Sequence, residues 1–191
     1  MGDIFDKFNS NIDVKGLSSD VVESEKNGGS GNYPEIPDGT YEVSLTGLTT
    51  KNSGTFAPME IVESKNGKPM VRMIFKIHGG QYNDQLIFLN QVIEQDFQIG
   101  IVNAILRSMQ LETVESTEKA LGGKLFMDFR QYNDLLSDCA EEIESSQLSF
   151  QLKYGTNNKG FKTYAIEDVF EGWFIGFTGT VPGAMDAGNQ W

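Results

Sequence analysis

Hydrophobic and polar residues alternate along two stretches in the first half of the chain, residues 39–50 and 68–77, and a third stretch, residues 86–93, is apolar on both sides apart from Asn90 and Gln91. A period of two places one side of a strand in a core and the other side in solvent. In the second stretch Val71 and Met73 fall on the side opposite Arg72. Turn-forming residues then join the second stretch to the third. The pattern therefore predicts an antiparallel meander of three strands.

The connection between the first two strands, residues 51–68, is rich in turn formers. Within it, residues 59–63 are expected to add a short strand. Asn66-Gly67 is a strong hairpin signal in that case, because this dipeptide suits the tight turns that join antiparallel strands.

Helical spacing replaces the alternation after residue 95. Asp96 is the expected N-cap of a first helix, in which the residues at helical spacing are Phe97, Ile101, Ala104, Ile105 and Ser108, with Val102 and Met109 flanking them. A second short helix is expected over residues 111–121. A short strand is expected at residues 125–129.

An acidic helix is expected over residues 132–145, with Leu135, Leu136, Cys139 and Ile143 facing inward. Strict alternation returns in residues 148–154 and 161–169, separated by a turn. These two runs predict a final antiparallel hairpin.

The order of elements is three strands, a helical insertion and a two-stranded hairpin. It predicts a mainly β chain with a helical insertion (α+β), arranged as a five-stranded OB-fold-like barrel with helices between strands 3 and 4. A sandwich with a helical cover has the same strand order and stays open as an alternative.

Three parts of the chain are expected. Residues 1–34 are expected to form a flexible N-terminal arm, because its polar part, residues 9–34, buries too little apolar surface to become ordered. Residues 35–171 form the OB-like domain, which contains an acidic helical insertion at 111–147. Residues 172–191 form a Gly/aromatic C-terminal tail.

The net charge of −12 is unfavourable for a nucleic-acid-binding protein, so its distribution matters. Residues 111–147 carry nine acidic and three basic side chains. The strand segments, residues 36–110 and 148–170, carry nine of each and are neutral. The acidic side chains are thus concentrated away from the strands, so the net charge does not exclude a nucleic-acid interface on the strands.

No apolar run approaches the length of a membrane span, and the first residues do not resemble a signal peptide. The single Cys139 excludes an internal disulfide and is consistent with a reducing cytoplasm. We therefore expect no membrane partner.

Three motifs in the strand region resemble a known family. They are Ile36-Pro-Asp-Gly-Thr-Tyr-Glu-Val, Gly67-Lys-Pro-Met-Val-Arg-Met-Ile-Phe-Lys-Ile and Gly80-Gln-Tyr-Asn-Asp-Gln-Leu-Ile-Phe-Leu-Asn-Gln. The chain is similar, over about residues 36–110, to a single-stranded-DNA-binding-like family of bacteriophage replication modules, labelled domain of unknown function 669. The acidic insertion and the tail are outside the shared pattern.

This resemblance implies an OB-type barrel that binds single-stranded DNA in phage replication or recombination, in the cytoplasm of an infected bacterial host. The C-terminal tail is a candidate contact for phage replication or recombination proteins, and a homo-oligomer is possible. No cofactor is expected.

Single-strand binding needs aromatic faces for bases and cations for phosphates. The candidates are Arg72 and Lys76 on the second strand, Lys153, Tyr154, Lys159, Phe161, Lys162 and Tyr164 on the final hairpin, and Lys51, Phe56 and Lys68 in the first connection. Alternatively, the lysines line a solvated outer face, and Tyr154 and Phe161 merely close the hairpin. Phe75, Phe88 and Phe150 are expected in the core.

An enzyme is not expected. His78 is interpreted as a surface turn residue beside two glycines, and Cys139 as a core residue. The acidic residues lack the spacing of a calcium-binding loop. The alternative to DNA binding is an acidic protein-interaction module: a phage structural component, or an inhibitor that mimics nucleic acid towards a host nucleic-acid-binding protein.

Overall fold

The computed structural model of this protein describes residues 35–50 and 54–172. Its strands are β1 (Gly39–Leu45), β2 (Leu48–Thr50), β3 (Gly54–Phe56), β4 (Met59–Glu63), β5 (Pro69–Ile77), β6 (Leu86–Val92), β7 (Leu148–Thr156) and β8 (Lys162–Glu171). Its helices are α1 (Asp96–Ser108), α2 (Glu112–Ala120) and α3 (Phe129–Ser145). The predicted N-terminal arm, Lys51 and the tail from residue 173 lie outside the described residues.

Strand β5 is the centre of the main sheet. It pairs with β6 along one edge and with β4 and β1 along the other, and the sheet continues from β1 to β7 and β8. Strands β2 and β3 form a separate hairpin. The described chain is mainly β, a curled antiparallel half-barrel sheet with three helices, compatible with an OB-like fold. The predicted mainly β chain with helices is thus confirmed.

The ladders fix the strand directions. Every pairing in the main sheet is antiparallel, so β6 and β8 run in the direction of β1, while β5 and β7 run the opposite way. Strands β6 and β8 end, and β7 begins, at what we call the helix end, where the chain leaves for α1 and returns from α3. At the opposite hairpin end, β1 begins and a turn joins β7 to β8.

One apolar core joins strands and helices. Val43, Phe75 and Phe150 from the sheet are fully buried together with Leu106 of α1 and Leu136 of α3. The residues predicted to face inward from the acidic helix, Leu135, Leu136, Cys139 and Ile143, are all buried. Within the described residues, no helix is both long and apolar enough to cross a membrane.

The alternation of apolar and polar residues along β5 does not correspond to an alternation of buried and exposed side chains. Arg72 and Ile74 lie opposite Val71 and Met73, as predicted, but both are buried. The predicted solvent side of this strand is therefore wrong. Phe56 from the β2–β3 hairpin lies over the Arg72 guanidinium, 4.9 Å from it, so a neighbouring hairpin occupies the place of solvent. Gly47 allows the β2–β3 hairpin to approach this closely, because a Cβ added at residue 47 would lie only 3.0 Å from the Phe56 carbonyl oxygen.

The first predicted strand is interrupted. It continues to residue 45, breaks at two residues and resumes as β2, so a single strand to about residue 50 is wrong. The optional strand at residues 59–63 is present as β4, and Gly67 sits in its turn to β5 with a φ of 72°.

Two helix starts differ from the prediction. Helix α1 has Gln95, not Asp96, as its N-cap, and the Gln98 side chain accepts hydrogen bonds from the backbone N–H groups of residues 94 and 95. The strand predicted at residues 125–129 is absent. Asp128 instead caps α3 by accepting from the Gln131 N–H at 2.9 Å, so capping chemistry prevails over a short alternating run.

The apolar face of α1 is also rotated from the expected one. Val102, Ile105 and Leu106 are buried, whereas Phe97 and Ile101 are 65% and 43% exposed. Two overlapping apolar stripes run along this helix, and periodicity alone did not reveal which stripe faces the core.

Candidate nucleic-acid interface

Tyr154 and Tyr164 meet at the hairpin end because the β7–β8 register pairs them directly. Their ring centroids are 5.7 Å apart at an interplanar angle of 50°. The same register places Lys162 opposite Thr156, and the Lys162 ammonium lies 4.6 Å from the Tyr154 ring centroid. Three of the predicted site residues are thus brought together in a cation–π arrangement.

Two further tyrosines join this cluster, and neither was predicted from the sequence. Tyr41 and Tyr82 make an edge-to-face contact with centroids 6.0 Å apart, and the Tyr41 hydroxyl donates to the Pro37 carbonyl at 2.7 Å. Burial, followed by the charges of Tyr82, Tyr154 and Asp38, raises the pKa of Tyr41. We call Tyr41, Tyr82, Tyr154 and Tyr164 the tyrosine rim; all four are half-buried.

Asp38 and Thr156 hold the Lys162 side chain in place. Its ammonium donates to the Thr156 hydroxyl at 3.1 Å and lies 3.7 Å from Asp38. Asp38 in turn accepts from the Thr156 N–H and hydroxyl, both at 2.9 Å. Burial alone would lower the pKa of Lys162, but its contact with Tyr154 and the charges of Tyr154, Asp38 and Glu35 raise it. Lys162 is therefore positively charged at neutral pH and fixed beside the rim.

The tip of the β7–β8 hairpin carries Lys159 and Phe161. The Asn157 side-chain oxygen accepts from the N–H groups of both residues, at 2.9 and 3.0 Å, and shapes the turn. Phe161 is 65% exposed, and Lys159 is exposed with no ion pair to any residue the structure describes. This ring and this cation are accessible to a ligand approaching the hairpin end.

Lys153 points away from the rim because side chains alternate along β7. It lies 3.3 Å from Glu167, which also accepts weakly from the Thr40 hydroxyl at 3.4 Å. Lys153 keeps 65% side-chain exposure despite the ion pair.

Lys76 pairs with Asp84 at 2.6 Å, and the hydrogen bond from Lys76 lowers the pKa of that carboxyl group. Neighbouring His78 is half-buried, and its Nε2 lies 2.8 Å from the Ser44 hydroxyl. Burial and the charge of Lys76 lower the pKa of His78, so it is neutral at neutral pH. His78 is therefore more enclosed than the expected surface turn residue.

Arg72 is the most enclosed of the candidates. Its side chain is 10% exposed and pairs with Glu60 at 3.2 Å, while Phe56, which is 4% exposed, covers the guanidinium. Burial outweighs the attraction between the two charges, so it lowers the pKa of Arg72 and raises the pKa of Glu60. In this position Arg72 and Phe56 support the β2–β3 hairpin, and neither presents a surface to a phosphate or a base.

Lys68 forms an ion pair with Glu94. Five of the six predicted cations on or beside the strands within the described residues thus have a carboxylate partner, and Lys159 is the exception. Lys51 lies outside the described residues. Phe88, expected in the core, is half-buried on the outer side of β6.

The acidic insertion contains a carboxylate with a structural role. The two Glu142 oxygens accept from the backbone N–H groups of Glu112 and Thr113, at 2.8 and 2.9 Å, at the start of α2. Burial opposes ionisation, but these hydrogen bonds lower the pKa of Glu142 overall. Among the described residues, no group of three or more His, Cys, Asp or Glu is arranged to hold a metal ion.

No protein-family model and no curated protein sequence matches this chain.

Proposed function

We propose that this protein binds single-stranded DNA without sequence preference and supports phage DNA replication or recombination. The observation that carries the proposal is the placement of the charged Lys162 over Tyr154, beside Tyr164, at the hairpin end. Aromatic faces with an adjoining cation are the two components that single-strand binding requires.

The proposed fold is a five-stranded OB barrel built from β1, β5, β6, β7 and β8. Its strand order, β6-β5-β1-β7-β8, is the Greek-key order with the helical insertion between the third and fourth barrel strands. The Tyr164 hydroxyl donates to the Phe88 carbonyl at 2.8 Å and bridges β8 to β6, the two strands that would close the barrel. The motif resemblance noted in the sequence motivates the same interpretation, and no protein-family model tests it.

In this proposal the bases stack on exposed ring surfaces at the hairpin end, beginning with Phe161 and the outer faces of Tyr154 and Tyr164. Lys159 meets a phosphate directly. Lys162 exchanges its contact with Asp38, 3.7 Å away, for a second phosphate. Because every base has a flat face on which an aromatic ring can stack, binding is expected to be insensitive to sequence.

The ion pairs favour a second candidate function. A carboxylate beside each of five strand cations weakens the field that attracts phosphates, and the chain carries a net charge of −12. An acidic protein-interaction module, using exposed acids such as Glu115, Glu141 and Glu144, accounts for these charges without DNA. The two candidates predict opposite results with DNA.

Fluorescence anisotropy with labelled oligo-dT, titrated at several salt concentrations, tests the proposal. We expect affinity to fall as salt rises, because phosphate contacts release counterions. Lys162→Glu should weaken binding strongly and reduce the salt slope by about 0.7 for each phosphate that the variant no longer neutralises. Lys124→Glu changes the same charge at an exposed position in the acidic insertion and serves as the control.

If the anisotropy does not change at low salt, the result contradicts DNA binding and leaves the acidic interaction module as the better candidate. Equal effects of the two charge reversals would show that net charge alone, not the hairpin end, governs the affinity.

A further inference from the structure

Helix α1 exposes a stripe of apolar side chains. Phe97 and Ile101 are 65% and 43% exposed, and Ala104 is exposed one turn further along. Their spacing of four and three residues places them on one side of the helix. A continuous apolar stripe, unlike a single exposed leucine, indicates a surface that something covers.

The other helices approach α1 from a different side. The Asn103 side chain accepts from the Tyr132 hydroxyl of α3 at 2.7 Å, and Arg107 donates to Glu118 of α2 at 2.8 Å. At about 100° per residue, Asn103 and Arg107 project away from Ile101. Helices α2 and α3 therefore leave the stripe uncovered. Strand β8 packs against α1 as well, and Phe97 and Ile101 remain exposed beside it.

The end of β8 brings the chain to the same place. Strands β6 and β8 run in the same direction, and Tyr164 near the start of β8 contacts Phe88 in the middle of β6. Helix α1 begins four residues after β6, and the described chain ends at Gly172, one residue after β8. Both exits lie at the helix end, whereas β1 begins at the hairpin end.

The residues that follow have the chemistry to cover the stripe. The sequence continues Trp173-Phe-Ile-Gly-Phe177. Five extended residues span about 17 Å, and the stripe from Phe97 to Ala104 is about 10 Å long. The first residue after Gly172 is already a large aromatic residue, so no long linker is needed.

We propose that the C-terminal segment Trp173–Phe177 folds back on its own chain and packs on the apolar stripe of α1 formed by Phe97, Ile101 and Ala104. This proposal is independent of DNA binding. It assigns the aromatic tail to the protein's own surface and supplies the cover that the rotated face of α1 lacks.

Tryptophan fluorescence tests the contact in the full chain. The chain has two tryptophans, so Trp191→Phe leaves Trp173 as the only one. We expect a blue-shifted emission and weak quenching by acrylamide in this variant. Adding Phe97→Asp should shift the emission to the red and increase quenching, because a charge then replaces the apolar contact. An acidic residue in the first turn suits the helix dipole, so α1 should stay folded.

Met127→Asp is the matched control, because Met127 is also 65% exposed and lies outside the stripe. We expect it to leave the Trp173 emission unchanged, as should deletion of residues 1–34, and thermal melts report whether each variant folds. Ile101→Asp provides a second disruption of the stripe, with the same expected shift.

Three outcomes would overturn the proposal. Trp173 could emit as a solvent-exposed tryptophan in the parent protein. Its emission could be blue-shifted but insensitive to both stripe variants, which would place the segment elsewhere. The shift could depend on protein concentration together with dimer formation in sedimentation, which would make a second copy the occupant.

Discussion

Two clusters in this protein combine the same three kinds of group and differ in their exposure to solvent. Each contains a cation over an aromatic ring with a carboxylate beside it: Arg72, Phe56 and Glu60 in one, Lys162, Tyr154 and Asp38 in the other. The cation lies 4.9 Å from the ring centroid in the first and 4.6 Å in the second. Their side-chain exposures, 10% for Arg72 and 37% for Lys162, separate them.

Exposure decides what each cluster can do. A buried ion pair loses its hydration and depends on its partner, so it supports the fold and is poorly suited to exchanging ligands. A half-exposed pair retains water and loses little when the carboxylate is replaced by another anion. The same three groups therefore make a structural element under the β2–β3 hairpin and a candidate binding element at the hairpin end.

The largest expected effect comes from making the same substitution in both clusters. Arg72→Met leaves the half-buried Glu60 without its partner and should lower the free energy of unfolding by up to about 3–5 kcal/mol, the cost of breaking a buried pair. Lys162→Met should lower it by less than about 1 kcal/mol, since exposed ion pairs contribute little. Urea denaturation of the two variants measures the difference.

A double variant, Glu60→Gln with Arg72→Met, is the control and should regain part of the lost stability. If Lys162→Met proves as destabilising as Arg72→Met, the contrast between a structural and a binding cluster fails.

The next largest effect concerns the ring in the exposed cluster. Tyr154→Ala should weaken oligo-dT binding by about 1–3 kcal/mol, because a stacked base contributes about that much. Tyr154→Phe keeps the ring and should retain most of the affinity. Anisotropy titrations at fixed salt measure both, and equal losses in the two variants would assign the effect to the hydroxyl group.

Glu142 offers an intermediate case, a carboxylate held by backbone donors at the start of α2. Glu142→Gln should lower the free energy of unfolding by about 1 kcal/mol at pH 7, as for loss of a helix cap. Because hydrogen bonds lower the pKa of Glu142 in the folded state, the carboxylate stabilises the protein above its unfolded pKa of about 4.5.

This contribution is lost as the pH falls through the lowered folded pKa. The stability difference between the wild-type protein and Glu142→Gln should therefore narrow below about pH 4.5. A difference that stays constant from pH 7 to pH 3 would show that the charge of Glu142 is not involved.

The smallest effect is expected from the exposed acids of α3. Glu141→Gln with Glu144→Gln should change stability by less than about 0.5 kcal/mol, as is usual for surface substitutions. Oligo-dT affinity should rise only modestly, because solvent and salt screen charges beyond about 10 Å. A large gain in affinity would move the functional surface to the acidic insertion, where the interaction-module alternative places it.

Periodicity in the sequence was sufficient for most of the fold. The predicted meander, acidic helix and final hairpin correspond to strands β1, β5 and β6, helix α3 and the β7–β8 hairpin. These elements have one apolar side and recognisable turns, so local pattern and tertiary packing agree. The buried side of α3, including Cys139, is an example.

The failures occur where a distant segment decides the environment. Arg72 looks like a solvent-facing strand residue until the β2–β3 hairpin covers it, and nothing local to β5 signals that cover. Tyr41 joins the tyrosine rim only because β1 pairs with β7, a strand more than a hundred residues further along the sequence. Tyr154, Tyr164 and Lys162 lie on one hairpin, so their proximity depends only on the register of two strands that are neighbours in sequence.

Tyr164 joins two strand edges that carry no ladder between them in the described chain. Strand β6 pairs along β5 and strand β8 along β7, and the Tyr164 hydroxyl reaches the Phe88 carbonyl across the gap. Amide protons on these facing edges can exchange with solvent through small displacements, without unfolding the sheet. We therefore expect the half-barrel to open along this line before any ladder breaks, and under the proposed function a base stacked on Tyr164 would be coupled to that opening.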